Sequence, residues 1–446
     1  MLKEKALAYY LDQGHHCAES IFMAASDVYG LGFDEGDLSL LMGFSGGMGV
    51  EGTCGLMAGS VAVLGKMFAE ALGEDFRPAI AAFHRRFSYL FGDCTECNGI
   101  KPRYNKPDTR CAEAVGMVCD LLEAYIEELG DKLPKKETPV YEAVPAAEIK
   151  RVKGLGFLHN KNVPGLFQGR VITRNGKVTA RELAKVAKAA ERFGTGEVTF
   201  TSRLTMEVQG VPYDKIEDFR AYLAEEGLET GGTGAKVRPV VSCKGTTCQY
   251  GLIDTFGLSE KIHERFYKGY ETVKLPHKFK IAVGGCPNNC VKPDLDDLGI
   301  IGQRVPKIDL DKCRGCKKCM IEAACPIKNC HVENGKIVWD AEGCNHCGRC
   351  VGKCPFGVFG EEMTGYKVYV GGRWGKRFAR AMTINKIFTS EEEVLNMVEK
   401  AILYFKENGQ AGERFSDTIQ RIGFDVVEKE LLSDDILARK EEILAK

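Results

Sequence analysis

A chain of 446 residues, 44% hydrophobic and 28% charged, can bury the cores of about two to four domains and lacks the composition of a disordered protein. Its 61 Lys and Arg against 62 Asp and Glu leave a formal charge of -1, which supplies no global field for nucleic acid or an anionic membrane; anion binding must be local. The 19 cysteines, an odd number gathered mostly in C-x2-C and related runs, read as metal ligands or redox thiols rather than a disulfide framework.

Taken in chain order, residues 1–132 show helical periodicity in CAESIFMAASDVYG, CGLMAGSVAVLGKMFAEALG, RPAIAAFHRRFSYLFG and TRCAEAVGMVCDLLEAYIEELG, which predicts an all-α bundle. The start, MLKEKALAYYLDQGHHC, has no apolar signal region, and LMAGSVAVLGKMF is too short to span a bilayer. A cytoplasmic protein without membrane or nucleic-acid partners is expected. Residues 133–149, with three prolines, predict an extended linker. From residue 150 the pattern turns to α+β: GRVITRNGKVTARELAKVAKAAERFG predicts strand, turn and helix, and EVTFTSRLTMEVQGV predicts paired strands. This domain covers 150–306 and resumes at 361–432 with KVYVGG and the helix of SEEEVLNMVEKAILYFKENG. A cysteine-dense block, 307–360, interrupts it, and 433–446 forms a tail.

Two short runs carry the first chemistry: Cys243 and Cys248 in VSCKGTTCQYG, and Cys286 and Cys290 in AVGGCPNNCVKP. Thiolates so spaced, with Gly and Pro turning the backbone sharply, can hold one iron-sulfur cluster from two loops. The inserted block contains CRGCKKC followed by CP, then CNHCGRC followed by CP. This is the signature of a bacterial two-cluster ferredoxin, where three cysteines of one run and the last of the other hold each [4Fe-4S] cluster. It assigns Cys313, Cys316, Cys319 and Cys354 to one cluster, and Cys344, Cys347, Cys350 and Cys325 to the other. A zinc ribbon needs four ligands and leaves the third cysteine and the Cys-Pro of each run without a purpose. Cys330 is left over as a spectator.

The GGCPNNC loop, with QGRVITRNGKVTARE, TSRLTMEVQGV, KVRPVVSC, LPHKFKIAVGGCPNNC and YKVYVGGRWGKRFARAMTINKIF in order, resembles the siroheme-dependent sulfite and nitrite reductases over about residues 150–432. The resemblance implies an α+β reductase repeat with the two-cluster ferredoxin inserted. It implies siroheme, with Cys290 as cluster ligand and axial ligand to the siroheme iron, and three [4Fe-4S] clusters in all. It further implies that Arg170, Arg238, Lys278 and Lys280 surround a small anionic substrate, sulfite or nitrite, and that Arg203 touches a siroheme carboxylate. Fixed cations suit that chemistry, since they hold the anion and help protonate departing oxygens.

This chain departs from the family pattern in two ways. Four residues, not the usual five, separate Cys243 from Cys248, so a tighter loop is expected. Where the family's enzymes carry two repeats, with cations from one facing cysteines from the other, this chain has one; a symmetric homodimer would restore the missing half. The N-terminal HHCAES, GGMGVEGTCGLMAG, CTEC and RCAEAVG resemble the small C-GCAxxG-C-C family, described as redox-active. Cys17, Cys54, Cys94, Cys97 and Cys111 are its candidate redox thiols or metal ligands, gathered at one end of an up-and-down bundle, and helix N-termini there favour thiolates. Cys119 is expected in the core, and His15, His16 and His84 as ordinary polar residues.

These readings combine into a siroheme and iron-sulfur enzyme reducing sulfite to sulfide, with electrons entering through the ferredoxin insert from an unidentified donor protein. Nitrite reduction to ammonia by the same site, a non-catalytic electron carrier and a sulfur-transfer protein are the alternatives.

Overall fold

The computed structural model describes residues 1–32, 35–132 and 141–446, in two compact units, Met1–Pro139 and Val140–Lys446. Most of the expected linker lies outside the described residues.

The first unit is all-helical: α1 (Leu2–Leu7), α2 (Cys17–Tyr29), α3 (Glu35–Met42), α4 (Gly55–Leu72), α5 (Phe76–Leu90), α6 (Cys97–Tyr104) and α7 (Ala112–Lys132). Its core is built from Ile21, Val63, Leu64, Phe83, Phe87, Val118 and Leu122. The run Gly55–Leu90 is long and apolar enough by composition to cross a membrane, yet its large side chains Leu64, Phe68, Phe83 and Phe87 point into this core. Helices α2 and α4 meet closely because Gly59 has no side chain; a Cβ there would stand 2.6 Å from the Ala18 carbonyl oxygen.

The second unit holds two sheets. The first, in order β1-β2-β4-β3, joins β1 (Phe157–His159), β2 (Leu166–Val171), β3 (Val198–Phe200) and β4 (Met206–Pro212), all antiparallel. Between them come α8 (Ala146–Gly154), before β1, α9 (Ala180–Phe193), before β3, and α10 (Ile216–Ala224), after β4. Helix α9 begins with a capping box: Thr179 Oγ1 accepts from Glu182 N–H at 3.1 Å, and Glu182 accepts from Thr179 N–H at 2.6 Å. Its apolar face, Val186, Ala189, Ala190 and Phe193, packs with Val208 and Phe219.

The second sheet runs β11-β10-β7-β6-β5, from β5 (Val241–Ser242), β6 (Ile281–Gly284), β7 (Leu298–Ile308), β10 (Phe359–Val370) and β11 (Met382–Phe388). Strands β5, β6 and β7 are parallel, and β10 and β11 antiparallel to their neighbours. Helices α11 (Thr255–Ile262), α13 (Glu391–Asn408), α14 (Phe415–Ile422) and α15 (Phe424–Leu432) supply Leu258, Ile402, Phe405, Phe415 and Val427 to its core. Two short helices, α16 (Asp435–Ala438) and α17 (Lys440–Ala445), add Ile436 and Ile443, so the expected tail is folded onto this core.

Strands β7 and β10 pair from Leu298↔Val370 to Ile308↔Phe359, and the cysteine-dense insert leaves and returns at the far rung. It contains α12 (Met320–Ala324) and the hairpin β8 (Cys330–Glu333) and β9 (Lys336–Trp339), turned by Asn334 and Gly335, both at positive φ. Its own core is small: Ile321, Cys330, Ile337, Val358 and Phe359. With so few apolar side chains, clusters held by its cysteines would add cohesion to the insert.

Candidate functional site

The parallel strands β5 and β6 decide which residues meet. Cys243 and Cys286 follow the C-terminal ends of these strands, whereas Arg238, Lys278 and Lys280 precede their N-terminal ends. The pairing extends past the strands through the Val237↔Phe279 bridge, which holds Arg238 beside Lys278 and Lys280. Each strand thus carries cations at one end and thiols at the other.

At the thiol end, Gly285 N–H donates to Cys243 Sγ at 3.1 Å. Gly245 and Gly285 lie backbone to backbone beneath the sulfurs, and a Cβ on Gly285 would stand 2.7 Å from Gly245 Cα. Cys243, Cys248 and Cys290 all act electrostatically on Cys286, so the four thiols converge despite the tight Cys243–Cys248 loop. Asn289, at φ 56°, turns the chain so that Cys290 is exposed. Among the described residues no three His, Cys, Asp or Glu side chains stand close enough to hold a single metal ion. Four converging thiols over a glycine floor, with a backbone N–H aimed at the Cys243 sulfur, fit a four-thiolate iron-sulfur site.

At the cation end, Arg238 sits among Arg170, Arg203 and Arg414, and burial together with these charges pushes its pKa down to about 10. Burial, then Arg414 and Arg238, lowers Lys278; burial and then Arg203 and Arg414, against Asp296, lower Lys280. Such a gathering of like charge is costly unless an anion occupies it. Four of the cations have carboxylate partners: Arg170 with Glu207 at 2.7 Å, Arg203 with Asp296 at 3.1 Å, Arg414 with Asp297 at 2.7 Å and Arg373 with Asp417 at 2.8 Å. Among the described residues, Lys278, Lys280 and Arg238 have none, and the buried Nε of Arg238 lacks any hydrogen-bond partner. Arg203 also donates to the carbonyls of Pro239 and Ile281, so its guanidinium braces the loop between the two sheets.

Sequence reasoning missed Arg373, Arg414 and His277 in this group. His277 Nδ1 accepts from Lys278 N–H at 2.7 Å, which fixes the loop carrying the lysine. Arg414 lies 176 positions after Arg238 (414 minus 238) and has no motif of its own; only the α13–α14 connection brings it back.

In the insert, Cys313, Cys316, Cys319 and Cys354 line one cavity of about 100 Å³, so the first run and the last cysteine of the second share a space. Backbone N–H groups point at sulfur: Ile337 to Cys313 at 3.4 Å, and Asn329 to Cys325 at 3.2 Å. Cys344, Cys347 and Cys325 act electrostatically on Cys350, and Cys325, Cys344 and Cys350 on the buried Cys330. Both groupings follow the crossed ligand pattern and fit four-thiolate cluster sites.

In the first unit, Cys17 opens α2, Cys54 precedes α4, Cys97 opens α6 and Cys111 precedes α7. These four act electrostatically on one another, and the Tyr10 hydroxyl lies 3.9 Å from Cys17 Sγ and accepts from Cys111 N–H at 3.2 Å. Burial overrides the helix N-termini here. It pushes Cys17 up to about 11 and Cys54 up to about 12, and raises Cys97 and Cys111, so the expected preference for thiolates gives way to protonated thiols. Cys94 Sγ instead faces the Glu96 carbonyl at 3.6 Å. Cys119 is wholly in the core, His15 lies 3.5 Å from Glu19, and His84 lines a surface cleft with Phe76 and Ile80.

The family model "Nitrite and sulphite reductase 4Fe-4S domain" matches residues 233–436, and "Nitrite/Sulfite reductase ferredoxin-like half domain" matches 160–226. The chain belongs to the nitrite and sulphite reductase family. In this family frame the two matches fall on the two sheets, and residues 15–125 match "Putative redox-active protein (C_GCAxxG_C_C)". An uncharacterized protein of Methanocaldococcus jannaschii is 30% identical over 57% of this chain and 87% of its own length. The coenzyme F420-dependent sulfite reductase of the same organism is 29% identical over 62% of this chain, but the match spans only 42% of that protein. One subunit of the anaerobic sulfite reductase of Salmonella typhimurium is 29% identical over 59% of this chain and 78% of its own length. Among solved structures, dissimilatory sulfite reductase I shares the fold, with a TM-score of 0.50 and 18% identity over 79% of this chain and 87% of that one.

Proposed function

We propose that this chain reduces sulfite to sulfide, using siroheme and a coupled [4Fe-4S] cluster, with two further [4Fe-4S] clusters in the insert supplying electrons. The carrying observation is the group of partly buried cations, three of them without carboxylate partners among the described residues, at one end of strands whose other ends bear four converging thiols. Siroheme would supply the iron on which the anion is reduced. The protein's share is positioning and charge: Lys278, Lys280, Arg238 and Arg170 hold the anion and deliver protons to departing oxygens, while Arg203 and Asp297 fix the loops. Lowered lysine pKa values suit this, because a less basic ammonium gives up its proton more readily.

Sulfite is preferred because the relatives matched over most of their length that carry an activity in their names are sulfite reductases. Nitrite is the second reading, favoured by nitrite reductases such as the large subunit of the Escherichia coli enzyme, 34% identical over 32% of this chain. Both substrates are small anions that take up six electrons at such a site.

The placement of cations and thiols also supports a homodimer. Lys280 and Cys286 are six positions apart across β6, up to about 20 Å at about 3.3 Å per residue. A second copy turned about a two-fold axis would bring its cations to the siroheme anchored by Cys290.

The test is the absorption spectrum of anaerobically purified protein together with steady-state rates on sulfite and nitrite. Siroheme bands, about twelve cluster irons per chain and turnover of sulfite are expected. A protein fully loaded with clusters that takes up no siroheme defeats the enzyme reading and leaves an electron carrier.

A further inference from the structure

The two cysteine runs of the insert sit in different surroundings. The second run is tied to the sheet: Arg304 of β7 bridges in parallel to Cys347 and its N–H donates to the His346 carbonyl at 2.9 Å. The side chain of Arg304 fills the space over Gly348, where a Cβ would lie 2.5 Å from it; Gly348 is at φ 68°. Next in sequence, Arg349 lays its guanidinium over the ring of Tyr250, two residues after Cys248, at 4.5 Å from the centroid. A cavity of about 250 Å³ is lined by Tyr250, Cys286, Pro287, Arg304, Cys347 and Arg349, so a cysteine of the insert and a cysteine of the CPNNC loop share one space.

The first run has the opposite character. Cys316 is exposed, and the segment from Lys312 to Cys319 carries Lys312, Arg314, Lys317 and Lys318 with no acidic residue. Among the described residues Arg314, Lys317 and Lys318 form no ion pair; Arg314 rests on Phe356 at 4.7 Å. Phe356 and Met320, 37% and 50% exposed, add apolar surface to the same cavity rim.

We propose that the insert is a relay with a fixed direction, and that its Cys316 face is the docking surface for an acidic one-electron carrier protein. Electrons enter at the cluster of Cys313, Cys316, Cys319 and Cys354. They leave from the cluster of Cys344, Cys347, Cys350 and Cys325 toward Cys248 and Cys286. At each step one electron moves: the reduced carrier is oxidised, the receiving cluster is reduced, and no bond is made or broken. Exposed, unpaired cations around an apolar centre steer an acidic partner and make its arrival salt-dependent. The inference rests on the iron-sulfur part of the proposed function, not on siroheme or on sulfite.

The experiment uses the full chain with its clusters and follows cluster reduction by rapid-freeze EPR after mixing with a reduced acidic ferredoxin. Lys317→Glu with Lys318→Glu should slow the first reduction tenfold or more and abolish its dependence on ionic strength. Arg349→Glu with Tyr250→Leu, which leaves every cysteine in place, should leave that first step unchanged and slow reduction of the Cys243 cluster tenfold or more. The reverse pattern, equal rates with a basic carrier protein, or fewer than three clusters by iron analysis would overturn the proposal. Because the signals come from the clusters, a protein without siroheme would still report on the relay while refuting the proposed reaction.

Discussion

Asp297, fully buried, accepts the Arg414 guanidinium at 2.7 Å and the Lys280 backbone N–H at 2.9 Å. One carboxylate thus ties the loop before β7 to the start of α14 and to a proposed substrate-binding segment. Breaking a buried pair by removing one partner leaves an uncompensated charge, at a cost of about 3–5 kcal/mol. Arg414→Leu should therefore lower the stability of the second unit by about that amount in a urea titration. A loss under about 1 kcal/mol would show that water reaches Asp297 and that the pair is not a structural anchor.

Lys278→Met and Lys280→Met should each reduce sulfite turnover by about tenfold or more, if each ammonium contributes over about 1.4 kcal/mol in the transition state. Siroheme absorption should be retained. Kinetics on sulfite and nitrite check this, and wild-type values in both variants would move the anion site elsewhere.

If each site is completed across a two-fold axis, mixing Cys290→Ser protein with Lys280→Met protein should restore activity, to at most about half of wild type per heterodimer. Each heterodimer then has one site with intact parts from both chains. A fully active monomer, or verified exchange of chains with no recovery, would place both halves of the site in one chain.

His263 is 1% exposed, stacks on Tyr267, and has no hydrogen-bond partner on either ring nitrogen. Burial lowers its pKa from 6.5 to about 4. Between these values the unfolded chain binds the proton and the folded one does not, so this residue's contribution is intact above about pH 6.5 and lost as pH falls toward 4. The shift corresponds to about 3 kcal/mol. His263→Phe should flatten the difference in stability between pH 7 and pH 4.5 relative to wild type, measured by thermal or urea unfolding; parallel pH profiles would contradict it.

Much of the fold was legible because local rules agreed with it. The strand, Asn175-Gly176 turn and capped helix of GRVITRNGKVTARE, and the helix opened by Ser390, are set by neighbours a few residues away. The cysteine runs were legible as groups because their thiols are closely spaced in the chain, and the structure brings Cys313, Cys316, Cys319 and Cys354 to one cavity. What the sequence did not show is assembled over long separations. Arg373, Arg414 and His277 join the cation group only through tertiary packing, and the Arg349–Tyr250 contact links positions 99 apart (349 minus 250). The thiolate preference expected at the N-terminal cysteines differs for a related reason: a helix N-terminus is visible in sequence, but the burial that outweighs it at Cys17 and Cys54 is not.

The ladder between β7 and β10 closes at Ile308 and Phe359, which are direct partners. The fifty residues between them (309 to 358) begin and end side by side, so a two-residue turn could replace them without altering a rung of the sheet. On the proposed function, the reductase scaffold and its electron relay are therefore separable at the level of the gene. A shortened chain of this kind would have to take its electrons directly at the cysteines of the CPNNC loop, and a different carrier domain could be spliced into the same gap.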